Sequence, residues 1–370
     1  MGSPRLTAVL FGTRPEAIKL APVILELHRR GLPTLVVTTG QHRELVEQVL
    51  SAFEITLDHD LALMREGHTL DYLLGSTVTG IGELLERHNP SAVVVQGDTT
   101  STLGASLAAF HHRVPLAHVE AGLRSHDLAF PFPEEMNRRA TSVLARWHFA
   151  PTERSVEHLA AEGITSGVHL TGNTIVDAVH HILHAAPPLS REYADFIGEA
   201  PYILATAHRR ESWDGGIARV ARALADVLDA SPGLRLVFAT HPNPLARTPV
   251  EAALRDHPRA RITTAMEYPD FLQLLRGAYM AISDSGGVQE EGPTLGVPVL
   301  VTRDVTERPE GVESGAVRLV GTDSKLIVST ARSLLEDPGL HSSMSGAGAT
   351  LYGDGTSSRR IVDVLAGSEA

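Results

Sequence analysis

Short apolar runs alternate with longer segments of helical periodicity in the first half of the chain. After the first run, Ala17, Leu20, Ile24 and Leu27 fall on one helical face. The runs themselves are apolar throughout, which is typical of parallel strands that are covered on both faces. They predict strands at 6–11, 34–39, 92–96, 115–119 and 147–150. A strand followed by a helix, repeated in this way, predicts a doubly wound α/β domain.

The same alternation restarts after Pro187 and Pro188. Four further apolar runs predict strands at 202–207, 235–240, 279–283 and 298–302. We therefore predict two α/β domains with limits of 1–172 and 173–355 and a hinge near 171–190. Because ligands bind at the carboxyl ends of parallel strands, two such domains predict a cleft lined by both sets of strand ends.

Length and composition narrow the class of protein. The 370 residues suit two domains of ordinary size. With 32 basic and 44 acidic residues the formal charge is −12, which argues against binding to nucleic acid or to an anionic membrane. The absence of cysteine excludes disulfides, thiolate metal sites and a cysteine nucleophile. We find neither a secretory leader nor an apolar stretch of membrane-spanning length, so we expect a soluble cytoplasmic protein.

Polar or glycine-rich turns follow seven of the predicted strands. These turns are 12–19, 97–102, 120–124, 208–212, 241–244, 284–292 and 303–311. All of them lie on the side that would face the predicted cleft. No Gly-x-Gly-x-x-Gly follows the first strand, and no Walker loop or Gly-x-Ser-x-Gly turn occurs. The sequence therefore does not support a bound NAD, and we expect neither a cofactor nor a metal.

The turn after the strand at 279–283 has the chemistry of a phosphate cradle. Ser285, Gly286 and Gly287 place backbone N–H groups at the start of a predicted helix, whose positive end attracts an anion. In isolation the same residues would be read as a plain helix cap. A diphosphate needs several cations, and the candidate cations that favour a phosphate site are Arg14, His208, Arg209, Arg210 and Arg308.

Three acids form a second group of candidate functional residues. Asp98 and Glu120 each follow a strand of the first sheet, and the proline-rich segment 130–133 would bring Glu134 back towards them. Clustered carboxylates shift one another's pKa and can divide acid and base roles. The alternative is that Asp98 caps a helix and that Glu134 lies in a first turn, where acids are favoured. That alternative fits Glu120 less well, because an Ala-Gly pair follows it.

In these residues and the motifs around them, the chain resembles the bacterial non-hydrolysing UDP-N-acetylglucosamine 2-epimerases. The matching stretches run in the family's order and include FGTRPEAIKLAPVI, TGQHRE, GDTTST, HVEAGLRS, FPEEMNRR, TGNTIVDA, AHRRES, SDSGGVQEEGPTLGVPVLV and TERPEG. The resemblance implies two doubly wound, Rossmann-like α/β domains with an interdomain cleft (a GT-B-like fold), with UDP bound mainly by the second. It also implies a C-terminal helix, 356–370, that packs back on the first domain, and a homodimer.

The activity that the resemblance implies is reversible C2 epimerisation of UDP-N-acetylglucosamine to UDP-N-acetylmannosamine. UDP is eliminated to leave a 2-acetamidoglucal and is then added back. Carried over by position, the catalytic residues are Asp98, Glu120, Glu134 and His208, the last of which stabilises the leaving diphosphate. The residues expected to bind UDP are Arg14, Lys19, His208, Phe271, Ser285, Gly286, Gly287, Glu291 and Arg308.

A few residues differ from the family pattern at positions associated with regulation. In many relatives an Arg-Gln pair, and a glutamine after the Gln-His-Arg motif, help to hold a second, activating UDP-N-acetylglucosamine. Here Gly67 and His68 replace the pair and Glu44 replaces the glutamine, so the pattern does not support activation by substrate. The candidate regulatory region comprises Gln41, His42, Glu44, Gly67 and His68. We therefore keep a modified UDP-amino sugar as an alternative substrate. A GT-B-type UDP-sugar glycosyltransferase and a non-catalytic UDP-sugar sensor are alternative functions.

Overall fold

The computed structural model of the chain describes residues 6–41, 43–65, 67–207, 214–263 and 266–367. The chain divides into two compact units. Residues 1–182 together with 353–370 form the first unit, and residues 183–352 form the second. The sequence pattern places the change of domain at 172 and 173.

The first unit is built on a parallel sheet. Its strands are β1 (Thr7–Phe11), β2 (Thr34–Thr38), β3 (His59–Asp60), β4 (Ala92–Gln96), β5 (Leu116–Val119), β6 (Trp147–Ala150) and β7 (Val168–Leu170). They are ordered β3-β2-β1-β4-β5-β6-β7, and the pairings are parallel. Val9 at the centre pairs with Val36 on one side and Val94 on the other, and all three are buried. The order reverses between β1 and β4, which is the point where such sheets bind ligands.

Helices connect these strands. They are α1 (Arg14–Arg29), α2 (Arg43–Ala52), α3 (Leu70–His88), α4 (Thr100–His111), α5 (Glu134–Leu144), α6 (Glu153–Ala161) and α7 (Thr174–Ala185). The start of α1 illustrates why the chain turns there: the Glu16 carboxylate accepts the backbone N–H groups of Thr13 at 2.6 Å and Gly12 at 3.1 Å. Pro15 fits the first turn, where its missing N–H costs nothing.

The second unit repeats the plan of the first. Its strands are β8 (Tyr202–Ala207), β9 (Arg235–Thr240), β10 (Ala260–Thr263), β11 (Met280–Ser283), β12 (Val299–Val301) and β13 (Val317–Leu319). They are ordered β10-β9-β8-β11-β12-β13 and pair in parallel. The prediction of two doubly wound α/β sheets is therefore confirmed.

The core of the second unit explains its apolar strands. Leu236 and Phe238 on β9, with Leu224 and Val227 on the helix that precedes it, are fully buried in one cluster. Its helices are α8 (Arg191–Ile197), α9 (Gly216–Ala230), α10 (Pro244–Leu254), α11 (Tyr268–Gly277), α12 (Val288–Thr294), α13 (Pro309–Glu313), α14 (Ser324–Glu336) and α15 (Pro338–Gly346). Across the described part of the chain, no helix has the length and apolar character needed to span a membrane.

The last helix, α16 (Ser357–Gly367), belongs to the first unit. Asp177 on α7 accepts the backbone N–H groups that begin it, from Ser357 at 3.2 Å and Ser358 at 2.8 Å. Arg30, at the end of α1, lies 2.7 Å from the Asp363 carboxylate. A carboxylate at the helix start and polar contacts along its length therefore fix α16 against α1 and α7.

Candidate active site

Two neighbouring strands of the first sheet end at candidate acids. β4 and β5 are paired up to Gln96 and Val119, so Asp98 and Glu120 follow adjacent strand ends. Gly97 has φ of 73° and Glu120 has φ of 65°, so the chain turns sharply at both positions. A positive φ is ordinary for glycine but costs free energy for a glutamate, so the surrounding structure must hold Glu120 in this conformation.

The Glu120 carboxylate is surrounded by nitrogen donors. The Lys19 ammonium donates to Oε1 and the Gln96 amide donates to Oε2. The Asn173 amide lies 3.4 Å from Oε1. Glu120 is only 8 % exposed and Lys19 only 5 %, so the two charges form a buried pair. Charge-assisted bonds from such donors favour the ionised form of a carboxylate.

Asp98 is held from α5 rather than from α1. Its Oδ2 atom lies 2.7 Å from Nη2 of Arg138, and its backbone carbonyl accepts the Asn137 amide at 2.9 Å. Glu134 is the first residue of α5 and is half-buried. The sequence-based candidates Asp98 and Glu120 therefore lie at one edge of the first sheet, and Glu134 begins the helix whose next turn contacts Asp98.

Three further charged residues of this region were not singled out from the sequence. Glu135 and Arg138 are buried on α5, and Glu16 is buried on α1. Burial raises the pKa of Glu16, while hydrogen bonds from Thr13, Thr99, Thr102 and Gly12 oppose that rise. Glu16 therefore joins the turns after β1 and β4. A lone glutamate three residues after a threonine was the available signal, since it marks a capping box.

A neutral histidine, His118, supports the turn that precedes Asp98. His118 on β5 is fully buried, and its Nε2–H donates to the Gly97 carbonyl at 2.7 Å. Burial is the main cause that lowers its pKa to about 3, and the charges of Arg124 and Arg138, with that of His148 once it is protonated, add to the effect. The ring is therefore uncharged near neutral pH, and it supports the Gly97 turn rather than supplying a cation.

In the second sheet the turn after β11 contacts an arginine. A Cβ added to Gly286 would lie 2.9 Å from Nη1 of Arg308, closer than real Cβ atoms come, so this glycine lets the guanidinium pack on the turn. Arg308 Nε donates to the buried carboxylate of Glu290 at 2.6 Å. The Ser285 N–H donates to the Ser283 hydroxyl at 2.9 Å. The predicted phosphate residues Ser285, Gly286 and Arg308 are thus close together.

Glu291 and Phe271 are connected through a residue that we did not select from the sequence. The Tyr268 hydroxyl donates to Oε1 of Glu291 at 2.8 Å. Tyr268 and Phe271 lie one turn apart on α11, where Tyr268 is buried and Phe271 is half-buried. Tyr268 therefore orients the Glu291 carboxylate, which is expected to bind the ribose. Tyr268 lies on the same helix as Phe271, the aromatic residue expected to contact uracil.

Some predicted residues lie elsewhere or outside the described residues. Arg14 is the first residue of α1 and is half-buried. The predicted residues His208, Arg209, Arg210 and His42 fall outside the described residues. In the candidate regulatory region, Gln41 follows β2 and accepts from the Ser101 hydroxyl at 3.4 Å. Glu44 is exposed in the first turn of α2.

The remaining regulatory candidates lie in the segment before α3. Gly67 has φ of 70° and is exposed. His68 is half-buried, and its Nδ1 lies 2.8 Å from the Arg65 carbonyl. Among the described residues, we find no hydrogen bond or ion pair between this segment and Gln41. The regulatory region therefore stays a prediction.

The fold and the sites together define an α/β protein with two parallel sheets. At the strand ends of one sheet, two carboxylates are each paired with a cation, and at a strand end of the other, an arginine packs against a glycine-containing turn. The sequence also matches the UDP-N-acetylglucosamine 2-epimerase family over residues 25–366. The chain therefore belongs to this family, and the resemblance identified from its motifs is confirmed.

Individual relatives agree over nearly the whole chain. It is 44 % identical to a probable UDP-N-acetylglucosamine 2-epimerase of Ralstonia nicotianae, a match that covers 96 % of this chain and 97 % of that protein. It is 42 % identical to the UDP-N-acetylglucosamine 2-epimerase of Escherichia coli K12, with the same coverage. The crystal structure of the Neisseria meningitidis UDP-GlcNAc 2-epimerase bound to UDP-GlcNAc is 40 % identical, with a TM-score of 0.91 and coverage of 98 % and 100 %.

Proposed function

We propose that this protein interconverts UDP-N-acetylglucosamine and UDP-N-acetylmannosamine by inverting C2 of the sugar. Its family membership and its similarity to an epimerase structure that contains UDP-GlcNAc support this substrate. The observation that carries the proposal is Glu120, a buried strand-end carboxylate held by Lys19, Gln96 and Asn173. A non-catalytic UDP-sugar sensor would not need a buried acid at this strand end, because burying a charge is costly.

The chemistry explains why an acid is needed there. The proton on C2 is not acidic in the substrate, because C1 is not a carbonyl carbon. When the C1–O bond breaks, its electron pair leaves with UDP and C1 gains oxocarbenium character. The C2 proton then becomes removable, and its bonding pair forms the C1=C2 double bond of a 2-acetamidoglucal. A carboxylate near C2 takes that proton as a general base.

The return step needs a second group. Protonation of C2 from the opposite face by this second group, with attack of the UDP oxygen on C1, gives UDP-N-acetylmannosamine. The group that took the first proton and the group that supplied the second then exchange protons with solvent, which returns the enzyme to its starting state. We draw the two acid/base groups from Asp98, Glu120 and Glu134. Each of the first two has a cation beside it, since Glu120 is paired with Lys19 and Asp98 with Arg138.

We assign UDP mainly to the second unit. The turn of Ser285, Gly286 and Gly287, with Arg308 packed on it, suits the diphosphate. Glu291, oriented by Tyr268, suits the ribose hydroxyls, and Phe271 suits the uracil ring. The further residues assigned to UDP are Arg14, Lys19 and His208, of which His208 would stabilise the leaving diphosphate. Lys19 would then serve both Glu120 and a phosphate.

Proton NMR of the purified protein with UDP-N-acetylglucosamine alone in D2O tests the proposal. We expect UDP-N-acetylmannosamine to appear and deuterium to enter at C2, without added metal, NAD or sugar acceptor. If the substrate binds but neither epimer nor deuterium appears, the proposal fails for this substrate. Modified UDP-amino sugars are then the next compounds to test. A homodimer, a cytoplasmic location and regulation at the region of Gln41 stay predictions.

A further inference from the structure

Glu135 is a buried carboxylate that the proposed chemistry does not use. It follows Glu134 in the first turn of α5 and is 0 % exposed. Its two oxygens accept backbone N–H groups from the preceding loop, Oε2 from Ser125 at 2.9 Å and Oε1 from His126 at 3.2 Å. A buried carboxylate is costly unless it is fully bonded. Glu135 therefore fixes the start of the loop that leads to Glu134.

Arg138 lies one turn further along α5 and contacts two carboxylates. Its Nη1 atom is 3.5 Å from Oε2 of Glu135, and its Nη2 atom is 2.7 Å from Oδ2 of Asp98. Arg138 is 5 % exposed, and its Nε and Nη1 atoms make no hydrogen bond with the described residues. Since a buried guanidinium needs its charge balanced, these two carboxylates are what hold it there.

The contacts form a continuous path from the loop to a candidate acid. Backbone N–H groups of the loop bind Glu135, Glu135 faces Arg138, and Arg138 binds Asp98. Asn137 adds a second tie, since its amide donates to the Asp98 carbonyl at 2.9 Å. One stretch of α5 therefore fixes both the loop and the backbone and side chain of Asp98.

We propose that Glu135 and Arg138 are positioning residues, a buried ion pair that sets the orientation and the charge environment of Asp98 and couples it to the loop before α5. This inference rests on the proposed epimerase function. It assigns neither residue a contact with the substrate. It predicts that each acts on turnover through Asp98.

Other titratable groups lie near this pair on the surrounding elements. From β5 these are Glu120, which is bound to Lys19, and His118, which is neutral. From the loop it is Arg124, whose charge is balanced by Glu162 at 2.7 Å. From β6 it is His148, whose pKa burial lowers to about 4. These four groups are therefore paired or neutral near pH 7, whereas Arg138 contacts Asp98 directly.

The opposite charges of the pair give a sharp test in the full-length protein. Arg138→Met removes a positive charge and disfavours the ionised form of Asp98. Glu135→Gln removes a negative charge and favours that form. The limb of the kcat–pH profile that depends on Asp98 should move to higher pH in Arg138→Met and to lower pH in Glu135→Gln, each by about one pH unit. We expect kcat to fall by about 100-fold in each, with KM nearly unchanged, as for a displaced catalytic group.

Matched variants separate positioning from folding. Arg139→Met makes the same change at the next residue, whose half-exposed side chain pairs with Glu162 at 3.2 Å. Glu153→Gln makes the same change in the exposed first turn of α6. Both controls should keep the wild-type profile. If Arg138→Met or Glu135→Gln fails to fold, Arg138→Lys keeps the charge but loses the planar fork, and its kcat should fall about tenfold with the limb unmoved.

The outcomes distinguish this inference from the function on which it rests. Opposite movements of the limb, with UDP affinity and melting temperature near those of the wild type, support the positioning role. A wild-type kcat in Arg138→Lys would overturn the inference. So would pH limbs that move in the same direction in Arg138→Met and Glu135→Gln. Neither result would contradict the proposed epimerase function. A wild-type protein that neither epimerises nor exchanges the C2 proton would end the proposed function, and the inference with it.

Discussion

In each sheet, β5 in the first and β11 in the second lie on the same side of the point where the strand order reverses, yet the chemistry at their ends differs. At β5, side chains hold one another: Glu120 is buried against Lys19, and Asp98 nearby is bound to Arg138. At β11, the turn carries two glycines, and Nη1 of Arg308 lies 2.9 Å from where a Cβ at Gly286 would stand. The first arrangement suits the making and breaking of C–H bonds, and the second suits the binding of an anion. The same fold thus supports both tasks through the residues at its strand ends.

The largest expected effect comes from Glu120→Gln. This change keeps the shape of the side chain but removes the proton acceptor, so kcat should fall by about 1,000-fold, within the range known for general bases. UDP affinity, measured by calorimetry, should change little, because we assign UDP mainly to the second unit. The exposed Glu83→Gln is the control. Turnover close to the wild type would remove Glu120 from the chemistry.

Glu307→Gln tests the charge balance of the second unit. Burial by itself would raise the pKa of Glu307, but Arg308 and Arg303 hold it at about 2, below the ordinary 4.5. Its stabilising contribution is therefore present above pH 4.5 and is lost as the pH falls towards 2. We expect the variant to be destabilised by about 3 kcal/mol at pH 7, as for a broken buried pair, and by less at pH 3.

Thermal unfolding from pH 7 to pH 3 measures this difference. Glu336→Gln, which breaks an exposed pair with Arg332 at 2.8 Å, should cost less than about 1 kcal/mol at any pH. A constant difference between Glu307→Gln and the wild type across the range would contradict the charge assignment.

His118→Gln tests acid sensitivity in the first unit. The folded state keeps this ring neutral, with a pKa of about 3, while the unfolded chain takes up a proton below about 6.5. Stability should therefore fall as the pH drops from 6.5 towards 3, by about 2 kcal/mol between pH 7 and pH 5. The variant keeps a donor for the Gly97 carbonyl, and its melting temperature should depend less on pH than that of the wild type. The exposed His111→Gln should keep the wild-type slope, and an unflattened slope in His118→Gln would rule out His118 as its source.

Gly286→Ala should give the smallest effect of the four. Its new Cβ would displace the Arg308 guanidinium from its present position, so the Kd for UDP should rise about tenfold, as for a weakened charge-assisted hydrogen bond. Gly233→Ala, where an added Cβ has no neighbour within 4 Å, is the matched control. An unchanged Kd would show that the position of Arg308 on this turn is not needed for UDP.

Much of the fold could be predicted from local pattern. The long apolar strands β1, β4, β8 and β9 appeared where the sequence placed them, because burial on both faces leaves a run without polar residues. The edge strands β3, β7, β10 and β13 were not predicted. They have two to four residues, and most of those residues are half-exposed, so no run rises above its surroundings. Their pairing depends on the neighbouring strand rather than on their own sequence.

The candidate site divides in the same way. Asp98 and Glu120 could be selected because each stands just after an apolar run, beside a glycine or an Ala-Gly pair. Glu135, Arg138 and Tyr268 could not, because an acid in a first turn, an arginine on a helix and a tyrosine beside a proline are common in any chain. What makes them notable is complete or nearly complete burial against a specific partner.

The sequence by itself determined the two-sheet class, the chemistry of the strand-end turns and the family, because these follow from local periodicity and from contiguous motifs. Only the tertiary structure decided which charges pair. Lys19 lies 101 positions from Glu120, and Asp98 and Arg138 belong to different segments of the first unit. Such contacts are set by how strands and helices pack, and a charge buried by that packing must find its partner wherever the fold brings one.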